Sequence, residues 1–131
     1  MPTEIAAIAF CVASGGLALF QLALAMGAPL GRFAWGGAHE RLPAGLRVGS
    51  LVAVLIYALF AAIVLERARL IALLPHPSIA GIGIWVIVSY LALGVVMNAL
   101  SRSRPERFTM TPLALTLCLL ALTVALTANP E

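Results

Sequence analysis

The chain has 131 residues, of which 63% are hydrophobic and 10% charged, and its formal net charge is +3. A soluble domain is nearer half apolar and a quarter charged, so an ordinary water-facing surface is excluded and a lipid bilayer is indicated. The basic residues are all Arg (32, 41, 47, 67, 69, 102, 104 and 107) and the acids are all Glu (4, 40, 66, 106 and 131). No basic stripe interleaved with polar and aromatic residues marks a nucleic-acid surface, so no nucleic-acid partner is expected.

Four apolar runs follow one another, at residues 5–26, 48–65, 79–100 and 111–128, and none contains a charge. Each is close to the roughly 20 residues that cross about 30 Å of hydrocarbon at a 1.5 Å rise. The predicted fold is therefore all-α, a four-helix transmembrane bundle forming one domain. Ala23-Leu24-Ala25 resembles a signal-peptidase site, but no Lys or Arg precedes it and the apolar run is too long for a signal sequence. The first run reads as a membrane helix.

The connection at residues 27–46 is the longest. It carries glycines and prolines suited to turns, with Phe33 and Trp35 suited to the headgroup zone. The second run could continue as a helix through Glu66 and Arg69, paired at i,i+3, to Leu74, with Pro75 and Pro77 ending it. Connections one and three hold six of the eight arginines. The positive-inside rule then places them in the cytoplasm and both termini outward. An inner-membrane protein of bacterial type is expected.

Uncharged polar groups within the spans carry most of the remaining information, because lipid cannot satisfy them. Helical spacing puts Ser14 with Gln21, Ser50 with Tyr57, Gly94 with Asn98, and Thr109, Thr116, Thr123 and Thr127 on four stripes. Such stripes usually form helix–helix seams. Gln21 falls about 8 Å inside the cytoplasmic end of its span. Ser50, Asn98 and Thr116 lie at a comparable depth, rimmed by Arg47, Arg102, Arg104 and Arg107, with His39, Glu40 and Glu106 close in sequence.

Two helices begin on that side, and helix N-termini together with guanidinium groups suit an anion. The candidate binding residues are thus Gln21, His39, Arg47, Ser50, Asn98, Arg102, Arg107 and Thr116, with anionic lipid headgroups as the expected partner. Glu106 reads as an exposed partner of Arg102 or Arg107. Cys11 and Cys118, in apolar runs without clustered ligands, read as small core residues rather than metal ligands. No catalytic residue, metal or cofactor is expected.

Gly27-Ala28-Pro29, Gly31, Gly36-Gly37, Leu42-Pro43, Arg47 and Ser103-Arg104-Pro105-Glu106-Arg107 resemble the loops of small four-helix bacterial membrane proteins. The resemblance runs from Gly27 to Pro112 and implies no activity. Small multidrug transporters share the size, but their membrane-embedded glutamate in the first span has no counterpart here, Glu4 being at the edge. Three functions fit the residues. The first is a non-enzymatic accessory or lipid-interacting bundle, possible as a homo-oligomer. The second is a small oligomeric transporter or channel lined by Gln21, Asn98 and the Thr stripe. The third is an enzyme acting on a lipid or isoprenoid phosphate, with Arg47, Arg102 and Arg107 as clamps and His39 or Glu40 as proton carriers.

Overall fold

The computed structural model describes residues 2–130 and is entirely helical among them. The helices are α1 (Pro2–Ala25), α2 (Ala44–Arg67), α3 (Pro77–Ala99) and α4 (Arg104–Thr127), with two short 3-10 turns, Gly31–Phe33 and Trp35–Gly37, in the first connection. All four helices are long and apolar enough to cross a bilayer. They run up and down in turn, so connections one and three share one end of the bundle. At the opposite end the Thr3 and Thr127 hydroxyls bond at 2.7 Å, and Arg67 Nη1 donates to the Asn129 carbonyl at 3.2 Å.

Chain signals account for the helix boundaries. After α1, Gly27 takes a left-handed φ of 95°. That lets Ala28 N–H reach the Ala23 carbonyl and Gly27 N–H the Leu24 carbonyl, a Schellman closure of the last turn. The same closure ends α2 with a non-glycine residue: Arg69 has φ 59°, and Leu70 N–H bonds the Leu65 carbonyl. The helix therefore stops at Arg67 instead of running on to Leu74. The Glu66 carboxylate, rather than pairing with Arg69, accepts the Leu73 N–H at 2.7 Å. Pro77 opens α3 at its first turn, where a missing N–H costs nothing.

The helices pack in a ring, α1 against α2 and α4, α3 against α4, with α2 and α3 the loosest neighbours. Small buried residues (Ala6, Ala7, Ala80, Ala121) bring the backbones close. Phe10, Val64, Ile84 and Leu117 fill the space between them. A second, smaller core under the first connection joins Leu24, Ala34 and Leu42.

Three of the four stripes contribute to the interior, and the fourth does not. Ser14 and Ser50 are buried, whereas Thr109, Thr116 and Thr127 face outward. Thr116, Thr123 and Thr127 each donate to the carbonyl four residues earlier, at 2.7–2.9 Å. Bonding back to its own helix satisfies a threonine hydroxyl without a partner helix, so this stripe has no need of a seam.

Candidate functional site

α2 and α3 pack more loosely than the other adjacent pairs. Phe60 meets Tyr90 edge-on, with ring centroids 5.2 Å apart, and a Cβ on Gly83 would lie 3.0 Å from Ile63. Beyond those contacts, toward connections one and three, the two helices separate and leave a cavity of about 480 Å³. Leu17, Leu91, Met110, Ala114 and Leu117 make its floor and walls, while Tyr90, Leu93 and Met97 stand at its α3 edge. These three are each more than half exposed. The opening lies beside these exposed α3 residues.

Polar groups gather at the end nearest the first connection. Gln21, Asn98 and Glu106 line the cavity there, with Trp35 and Tyr57. The Gln21 Oε1 is buried and has no hydrogen-bond partner within the described chain. An orphaned buried acceptor costs about 1–3 kcal/mol, which a donor entering the cavity would recover.

The first connection folds inward to close this end. Trp35 has a left-handed φ of 52°, and Gly36 and Gly37 follow at 77° and 73°. A non-glycine residue in this region is strained and persists only where its surroundings hold it. Here the indole Nε1 donates to the buried Ser50 Oγ at 3.1 Å, the Gly36 N–H donates to Glu106 Oε2 at 3.1 Å, and Ser103 Oγ donates to the Arg32 carbonyl. The indole packs against Gly49, where a Cβ would come within 2.9 Å of the ring. A side chain on Gly37 would collide with Ser103.

Glu106 owes its position to a modified helix cap. Ser103 caps α4, accepting the Glu106 N–H at 3.4 Å. In an ordinary capping box the Glu carboxylate would return the bond to the Ser103 N–H. Here Ser101 Oγ accepts that N–H at 3.2 Å and itself donates to Glu106 Oε2. The carboxylate is thereby released to hold the first connection and to line the cavity. It is buried, not the exposed partner of Arg102 or Arg107 expected from sequence, and no arginine is paired with it among the described residues.

The sequence-predicted residues divide into two groups. Gln21 and Asn98 share the cavity, and Ser50 supports it through Trp35. The others point elsewhere. Arg47 donates through Nε to the Leu42 carbonyl at 2.8 Å and lies against Gly27. Arg107 covers the Phe108 ring at 5.0 Å. His39, Arg102 and Thr116 are exposed. The arginines thus do not converge as a clamp on this cavity. Glu106 and Trp35, its two most engaged polar residues, were candidates for the surface by local sequence alone. The Ser-x-x-Glu spacing was the one signal pointing to Glu106.

No protein-family model matches the chain, and no curated protein or solved structure matches it either. Among the described residues there is no cluster of ligands able to hold a metal ion.

Proposed function

We propose that this small multi-pass membrane protein is a non-enzymatic binding module that takes an amphiphilic membrane molecule from the bilayer between α2 and α3. The observation carrying this reading is the combination of an apolar-walled cavity, an opening beside exposed α3 residues and one polar pole containing a buried, unpartnered Gln21 oxygen. An amphiphile fits that profile: its apolar body replaces contacts that an empty cavity lacks, and its head meets Gln21, Asn98 and Glu106. Largely preformed pockets with a few convergent polar groups are the usual form of such sites. The arrangement of Arg residues supports the cavity pole lying on the cytoplasmic side with both termini outward.

Gly94 provides the test. It lines the cavity, and a Cβ there would meet nothing within 4 Å. Gly94→Phe therefore fills the cavity without a backbone clash. Native mass spectrometry of gently extracted protein is expected to show a retained amphiphile on the wild type and none on Gly94→Phe. Identical adducts on both would refute the reading.

A further inference from the structure

Resting on the cavity reading above, we propose that the preferred occupant is a lipophilic cation, an apolar body bearing an ammonium or similar positive head, with Glu106 as its counter-charge. Glu106 is buried and lines the cavity, and both of its side-chain hydrogen bonds go to Oε2. Oε1 accepts no hydrogen bond within the described chain. A buried carboxylate without a countercharge is unfavourable, and no ion pair within the described chain supplies one. No arginine lines the cavity, and three of those nearby are engaged elsewhere: Arg41 with the Gly27 carbonyl, Arg47 with the Leu42 carbonyl, Arg107 over Phe108.

The walls favour the same charge. Five of the chain's nine aromatic side chains, Phe20, Phe33, Trp35, Tyr57 and Tyr90, line this one cavity. Aromatic faces attract cations through their quadrupole within about 6 Å. Phe33 already does so, with the Arg32 guanidinium 4.9 Å from its centroid. An anion would meet a carboxylate of its own sign. A neutral molecule would leave Glu106 uncompensated.

The test uses the full chain in phosphatidylcholine nanodiscs and two probes of nearly equal shape and opposite charge, tetraphenylphosphonium and tetraphenylborate, measured by equilibrium binding against empty discs. The wild type is expected to bind the phosphonium saturably and the borate no better than empty discs. Glu106→Gln, whose amide can still accept from Gly36 and Ser101, should weaken the phosphonium about tenfold or more, with unchanged helical content and elution volume. Tyr57→Leu should weaken it about threefold, an independent reading should Glu106→Gln fail to fold.

Replacing part of the phosphatidylcholine with phosphatidylethanolamine separates two sources of the same head: competition identifies an amine-headed lipid, and unchanged binding identifies a free lipophilic cation. Borate binding as tight as phosphonium, or phosphonium binding unaffected by Glu106→Gln and Tyr57→Leu, would overturn the proposal. Phosphonium binding unaffected by Gly94→Phe would instead overturn the cavity reading beneath it.

Discussion

Glu106, Trp35 and Ser50 show how single side chains tie a loop to a bundle. The Trp35 strain is held by one indole hydrogen bond and by close packing against Gly49. Ser50→Ala removes the acceptor and should cost about 1 kcal/mol, read as a lowered melting temperature in detergent. Gly31 is more constrained: its N–H bonds the Glu40 carbonyl at 2.8 Å, and an added Cβ would overlap the His39 carbonyl oxygen. Gly31→Ala should therefore destabilise by about 2 kcal/mol or more. Gly36→Ala meets no neighbour and bears only the conformational cost of its left-handed backbone, about 1 kcal/mol. Equal melting of Gly31→Ala and Gly36→Ala would contradict this ranking. These roles were not legible in the sequence, because they depend on contacts between residues from 8 to 70 positions apart, from Gly31 with His39 to Gly36 with Glu106.

At the scale of elements, the sequence signals were strongest where one helix decides the outcome by itself. Charge-free runs of 18–22 residues can only be helices in lipid, and four helices follow. Each helix begins ahead of its run, α4 at Arg104 on the Ser103 cap rather than at residue 111. The stripes were less informative, since a polar residue on a helix face has two solutions. Ser14 and Ser50 turn inward, while the threonines satisfy themselves on their own helix and face out. Thr116→Val should accordingly change stability by no more than about 0.5 kcal/mol, measured by thermal unfolding, and leave ligand binding intact. Asn98→Leu, at the polar pole, should leave the fold intact and reduce retention of the amphiphile. The splaying of α2 from α3 had no local signature. It arises because Phe60 and Tyr90 fix the distance at one end, while Ala53 and Gly94 are too small to fill the other.

At the scale of the whole molecule, the end bearing connections one and three is built to be closed and the side between α2 and α3 to be open. This asymmetry is what the proposed binding module requires: a polar pole under the first connection and an entry beside α3. The proposed outward placement of the termini is tested by fusing reporters active on only one side of the membrane to either end, and activity is expected outside. The cavity itself is tested most directly by photolabelling the protein in membranes with a long-chain amine carrying a diazirine at its tail, followed by peptide mapping. Adducts are predicted to concentrate on the facing stretches around Ala53 to Tyr57 and Tyr90 to Asn98, and to disappear in Gly94→Phe. Labelling spread over the outward residues Leu55, Leu59 and Ile82, unchanged by Gly94→Phe, would contradict the account.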